Sequence, residues 1–287
     1  MEQGKVAVLG FGTMGSEIAL LAALAGYEVF GFDPFPQAFD RQMPHLEAHI
    51  SRQKRLSDEE KAAALARLKT TSNLSDIRGA EFVIEASLEL KEIKEGLLAS
   101  LSEYLDEKAI LATNTSSMSI SGLASVYQYP NRFLGMHFFN PALTMTLVEV
   151  VPGTLTDPDV VDSAVAFCEK IGKTPIRVKE TPGFVVNRVL IALMFEAMSL
   201  LDEGIATVED IDIAMRRGAG FPLGPFKLAD LVGLDVLLHA GEVLYSELGH
   251  PKFKPPYSLK CMVASGLLGR KSGRGFYDYS KESEQQA

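Results

Sequence analysis

The stretch Val6-Ala7-Val8-Leu9-Gly10-Phe11-Gly12-Thr13-Met14-Gly15, near the start of the chain, decides the fold. Four apolar residues run into three glycines spaced G-x-G-x-x-G, and a second apolar run, 18–25, follows them. That is the order strand, tight turn, helix, which is the setting the glycine pattern needs to bind a dinucleotide. Gly10 permits the turn, Gly12 lets the backbone approach a pyrophosphate, and Gly15 allows the helix to pack closely on the strand. Met14 belongs to the same turn, where the anion rests on the positive end of the helix. A second strand at 28–32 leads into Asp33, eighteen residues past Gly15. A carboxylate at that point accepts hydrogen bonds from the adenine ribose hydroxyls. It also repels a 2′-phosphate, and no arginine adjoins it, so NAD is favoured over NADP; the glycine motif alone also admits FAD.

Outward from this motif, the first half of the chain alternates short apolar runs with longer helical segments, the pattern of a parallel sheet with crossover helices. Strands are expected over 6–9, 28–32, 82–85, 109–113 and 133–137, with helices over 14–25, 37–53, 57–68 and 89–104. Further strands at 148–151 and 175–178 flank a helix at 157–171. The character changes at Thr181-Pro182-Gly183. Thr181 suits an N-cap and Pro182 the first helical position, so a helix is expected over 184–201, closed by Gly204. It is too apolar for a solvated face and should pack on a partner subunit or a sister helix. Helices at 208–217, 225–231 and 234–248 follow, with no strong strand pattern to 280. The fold class is therefore α/β: an N-terminal Rossmann-type doubly wound sheet over 1–181, then an all-helical domain over 182–280. The polar segment 281–287 is expected to be a disordered tail.

The net charge of −9 argues against a nucleic-acid partner, and any anionic ligand must be held by a local site. No apolar run is long enough for a membrane span, and Met1 leads almost directly into the first strand, leaving no room for a signal peptide. Two cysteines, Cys168 and Cys261, make no disulfide framework, which fits a reducing cytoplasmic location. No metal site is expected.

The chemistry is suggested by Gly135-Met136-His137-Phe138-Phe139-Asn140-Pro141, followed by Glu149. His137 ends a core strand, and the carboxyl edge of an open α/β sheet faces the ligand crevice. Hydride transfer from a secondary alcohol needs a base in the titration range of histidine. That base in turn needs a carboxylate on its other nitrogen. Glu149 is the one acid between Phe133 and Val151, and an acid in such a strand needs a partner. A core histidine bonded to backbone is the plainer alternative. Asn114-Thr115-Ser116-Ser117 follows another strand at the same edge; it suits nicotinamide or substrate contacts, and equally a helix cap. Asn187 sits among core-like apolar residues and needs a hydrogen-bond partner or a ligand.

Taken together these residues resemble the short-chain 3-hydroxyacyl-CoA dehydrogenase family, which includes bacterial 3-hydroxybutyryl-CoA dehydrogenases. The resemblance runs from about Lys5 to Tyr279 and includes Gly224-Pro225-Phe226 and the stretch 273–279. It implies His137 as general base, Glu149 as its orienting acid, and Ser116 and Asn187 as substrate-polarising groups. It further implies Glu89 and Lys94 as contacts to the nicotinamide half of NAD, Asn114, Ser116 and Asn140 as further cofactor contacts, and Asn140 beside His137, helping to hold its geometry. Leu90 departs from the family, which often has Asn or Asp there. The implied activity is reversible NAD-linked oxidation of an (S)-3-hydroxyacyl-CoA by a homodimer joined through the helical domain, in fatty acid metabolism. Arg52, Lys54 and Arg55 form a basic cluster suited to CoA phosphates or to a solvated helix face. An L-gulonate 3-dehydrogenase of the same family and a non-catalytic NAD-binding protein are the competing readings.

Overall fold

The computed structural model describes residues 4–280, and the tail expected over 281–287 lies outside them. The chain divides into two compact units, Met1–Thr181 and Pro182–Ala287.

The first unit runs β1 (Lys5–Leu9), α1 (Thr13–Leu24), β2 (Glu28–Phe32), α2 (Gln37–Ser51), α3 (Asp58–Arg67) and β3 (Leu68–Thr71). It continues through β4 (Phe82–Glu85), α4 (Lys91–Ser100), β5 (Ile110–Thr113) and α5 (Ile120–Ala124). Then come β6 (Phe133–Phe138), β7 (Leu147–Pro152), α6 (Pro158–Lys170) and β8 (Thr174–Arg177). The eight strands form one sheet in the order β3-β2-β1-β4-β5-β6-β7-β8. All neighbours are parallel except β6 and β7. Central strands β4, β5 and β6 are buried along their whole length and, as a doubly covered sheet demands, apolar but for Glu85, Thr113 and His137 at or beside their carboxyl ends. The order reverses between β1 and β4, so the carboxyl ends of those strands open a crevice.

Two short elements escape the sequence pattern. Strand β3 is the sheet edge, and of its four residues only Leu68 is buried, so no alternation marks it. Helix α5 has five residues, set off by Ser119, whose side chain accepts from the Gly122 N–H.

The second unit is built of α7 (Val186–Asp202), α8 (Val208–Gly218), α9 (Pro225–Val232), α10 (Leu234–Leu248) and α11 (Tyr257–Ala264). Two isolated bridges, Gly269 with Arg274 and Arg274 with Asp278, are its only strand pairing among the described residues. The expected start of α7 is corrected here. Thr181 and Pro182 do not cap it, because Gly183 and Phe184 take positive φ values of 71° and 46° and break the chain before Val185. Its other end fits expectation, with Gly204 at φ 69° just past the last turn. Helix α7 buries Ile191, Met194, Phe195, Ala197 and Met198 in the core of this unit, together with Phe226, Leu234 and Phe253.

Candidate active site

The glycine turn joins β1 to α1 at the switch point. Gly10 has φ 93°, and a Cβ there would stand 2.6 Å from the Ala86 carbonyl oxygen. A Cβ on Gly15 would collide with the Gly10 carbonyl oxygen, so helix and strand approach as closely as backbones can. Gly12 differs: nothing lies within 4 Å of its Cβ position, which leaves the N-cap of α1 open. No side chain caps α1 and no acid occupies its first turn. Its first N–H groups therefore have no side-chain cap and no acid in their own turn, which suits a pyrophosphate.

This turn forms one wall of a cavity of about 990 Å³, which Met14, Asp33, Phe35, Arg41 and Glu89 also line. Asp33 is fixed by backbone: Oδ2 accepts from Phe11 N–H at 2.9 Å and Oδ1 from Phe35 N–H at 3.0 Å. Each carboxylate oxygen still has a lone pair for a ribose hydroxyl. The residues present thus fit NAD. Arg41, one turn into α2, was not evident from the sequence because it stands eight residues beyond Asp33.

At the same sheet edge, β6 and β7 place His137 directly opposite Glu149 in their antiparallel register. His137 Nδ1 lies 2.7 Å from Glu149 Oε2, and its Nε2 lies 3.1 Å from Ser116 Oγ. Glu149 is fully buried and His137 nearly so. An ionised Glu149 only accepts, so the proton sits on Nδ1 and Nε2 keeps its lone pair toward the Ser116 hydroxyl. Phe139 packs edge-on against the imidazole, with ring centroids 4.6 Å apart. Asn114 closes the gap between strand ends, its Oδ1 accepting from Phe138 N–H at 2.8 Å. Asn140 is exposed just past β6.

Glu89 gathers the loop after β5. Its Oε1 accepts from Thr115 Oγ1 at 2.5 Å, Ser116 N–H at 2.9 Å and Ser117 Oγ at 3.2 Å. Burial alone would raise its pKa, but the Thr115 hydroxyl, the Lys94 charge and the Ser116 N–H outweigh it and hold it below the usual carboxylate range. Lys94 is buried in an ion pair with Glu85, 2.8 Å away, and stands 3.3 Å from Glu89.

Asn187 lies in the first turn of α7, half-buried, in the second unit. Arg52, Lys54 and Arg55 are exposed just after α2.

Sequence reasoning missed three buried charges in this unit. Glu85 ends β4. Glu17 on α1 accepts from Leu143 N–H at 3.1 Å, and Lys173 donates to the Met145 carbonyl at 2.8 Å and to that of Ala142. The last two pin the loop that carries Asn140. Their only signal was a charged residue inside or beside an apolar run.

A parallel sheet reversing at a glycine turn, with a histidine–carboxylate pair at the same edge, defines a dinucleotide-binding α/β protein. Comparison with known families is specific. Residues 5–181 match the NAD binding domain of 3-hydroxyacyl-CoA dehydrogenase, and residues 183–279 match its C-terminal domain. The chain belongs to the 3-hydroxyacyl-CoA dehydrogenase family. It is 41% identical to a 3-hydroxybutyryl-CoA dehydrogenase of Clostridioides difficile, over 96% of this chain and 100% of that one. It is 38% identical to the mitochondrial hydroxyacyl-coenzyme A dehydrogenase of Rattus norvegicus, over 96% of this chain and 90% of that one. The crystal structure of an (S)-3-hydroxybutyryl-CoA dehydrogenase from Ralstonia eutropha superposes with a TM-score of 0.94 at 41% identity, covering 96% of this chain and 99% of that one.

Proposed function

We propose that this protein interconverts a short (S)-3-hydroxyacyl-CoA, such as 3-hydroxybutyryl-CoA, and its 3-ketoacyl-CoA, with NAD as the redox partner. The observation that carries the reading is His137 held between Glu149 at 2.7 Å and Ser116 at 3.1 Å. The relatives named above act on substrates of this class.

Bound NAD supplies the hydride acceptor. His137 Nε2 takes the proton of the 3-hydroxyl, and Glu149, holding Nδ1–H, stabilises the imidazolium that results. Ser116 and Asn187 bind and polarise the substrate oxygens. Gly10, Gly12, Met14 and Gly15 seat the pyrophosphate, Asp33 the adenine ribose, and Glu89, Lys94, Asn114 and Asn140 the nicotinamide half. Arg52, Lys54 and Arg55 meet the CoA phosphates.

The functional form is a homodimer joined through the second unit. That unit leaves Val189 62%, Leu231 56% and Val236 50% exposed, more apolar surface than a solitary unit needs. A reducing, cytoplasmic location accords with the two free cysteines.

The test is NADH oxidation by acetoacetyl-CoA, run beside NADPH and beside NAD with L-gulonate. Rapid, NADH-selective turnover is expected. Activity with L-gulonate alone would overturn the CoA substrate, and silence with intact NADH binding would overturn catalysis.

A further inference from the structure

Of the buried acids that the reaction outlined above leaves unused, Glu85 stands nearest in the chain to Glu89. Glu85 closes β4 with its side chain fully buried at the carboxyl edge of the sheet. Its Oε1 accepts from Ser87 N–H at 2.7 Å, Ser87 Oγ at 2.6 Å and Lys94 Nζ at 2.8 Å. Its Oε2 accepts from Lys94 Nζ at 3.0 Å and from Thr113 Oγ1 at 2.6 Å. Both oxygens therefore grip the same ammonium, and two further hydroxyls fix the carboxylate itself. Lys94 spends its remaining reach on Glu89 Oε2 at 3.3 Å. Glu89 in turn holds the Ser116 N–H, and Ser116 Oγ faces His137 Nε2.

We propose that Glu85 is a positioning residue: by fixing the direction of the Lys94 ammonium it sets Glu89, and through Glu89 the distance between Ser116 and His137. The proposal rests on the dehydrogenase reading for its kinetic consequence. A buried ion pair adds little net stability over an apolar pair of the same volume, so stability alone is a weak reason to keep one. What this pair supplies is direction. An ammonium held by both oxygens of one carboxylate cannot swing to another. With a neutral amide at position 85, the one anion left to Lys94 is Glu89. Glu89 would then turn toward Lys94 and release Thr115 and Ser116. Catalysis is sensitive to such displacement, since misplacing a reacting group by about 1 Å can cost on the order of 10²-fold in rate.

The experiment compares Glu85→Gln with Glu85→Asp. It measures kcat with acetoacetyl-CoA, NADH affinity, Tm and amide hydrogen exchange over 114–118. Glu85→Gln is expected to lower kcat at least about tenfold, to leave NADH affinity within about threefold, and to speed exchange at 114–118. Glu85→Asp, which keeps an anion for Lys94 one methylene back, should lie between the wild type and Glu85→Gln in both kcat and exchange. A purely structural Glu85 would behave otherwise: Tm would fall in Glu85→Gln while kcat per folded molecule and exchange over 114–118 stayed at the wild-type level, and that result overturns the proposal. If the wild type itself shows no turnover, the dehydrogenase reading fails, and exchange at 114–118 alone decides the positioning. If Glu85→Gln does not fold, Glu85→Asp carries the test, and wild-type kcat and exchange there overturn the proposal.

Discussion

Both units bury carboxylates, and they use them in opposite ways. In the first, Glu149 faces His137 and Glu85 faces Lys94, so each acid meets another ionisable side chain. In the second, Asp212 and Asp230 meet backbone and phenols. Asp212 accepts from Phe226 N–H at 2.9 Å, Lys227 N–H at 3.2 Å and Tyr277 OH at 2.9 Å. Asp230 accepts from Phe276 and Tyr277 N–H, each at 2.9 Å, and from Tyr279 OH at 3.1 Å. These two aspartates tie the segment 273–279 to α8 and α9, and their partners have no proton to give at neutral pH. Burial of an acid does not mark chemistry; the partner does.

The sharpest break of this contrast is His137→Ala, expected to lower turnover on the order of 10²–10⁴ with NADH binding nearly unchanged. Near-wild-type turnover by stopped-flow would take His137 out of the mechanism and erase the distinction. Asp230→Ala should act on the other side: it strands two N–H groups and a hydroxyl, at a cost of about 2–4 kcal/mol in urea unfolding. Turnover per folded molecule should stay at the wild-type level, and a loss there would place Asp230 in the chemistry after all. Asp33 lies between the two cases, bonded to backbone yet facing a cavity. Asp33→Ala should weaken NADH binding about tenfold, as expected for one lost charge-assisted bond. Unchanged affinity in a fluorescence titration would move the ribose elsewhere.

The smallest effect is a pair of opposite pH slopes. Burial outweighs hydrogen bonding at Asp230 and raises its pKa above 3.8, whereas bonding outweighs burial at Glu89 and lowers its pKa below 4.5. Around Asp230 the folded state binds more protons, so its contribution to stability falls as pH rises through the window above 3.8. Around Glu89 the unfolded state binds more, so its contribution is complete above 4.5 and is lost as pH falls below that. Glu89→Gln should flatten the rise and Asp230→Asn the fall, measured by urea unfolding across acid pH. Slopes changing in the same direction would end the contrast.

Legibility followed the same division. The central strands were readable because a doubly covered sheet demands apolar runs, as in 82–84 and 133–136. The pairing of His137 with Glu149 was readable because a lone acid in an apolar strand needs a partner, and only one histidine lay near. Edge strand β3 was not, because Leu-Lys-Thr-Thr buries one residue and pairs on one side. The start of α7 was misread because Thr-Pro-Gly matches a cap, while Phe184 takes a left-handed φ that no propensity announces. Glu85 and Lys94 stand nine residues apart across a turn, and Asp230 reaches its partners forty-six residues on. Such contacts belong to the tertiary fold, and no local pattern encodes them.

Because β7 runs against β6, the histidine and its carboxylate are cross-strand neighbours rather than members of one motif. Side chains alternate faces along a strand, so one residue gained or lost between Leu147 and Glu149 would turn the carboxylate to the far side of the sheet. The connecting segment 139–146 lies outside both strands and is free of that constraint. In a lineage of such chains, insertions are expected to be purged from the strand and, where they occur, to fall in the connector away from the residues that Glu17 and Lys173 hold. Parity, more than spacing, is what natural selection has to preserve here.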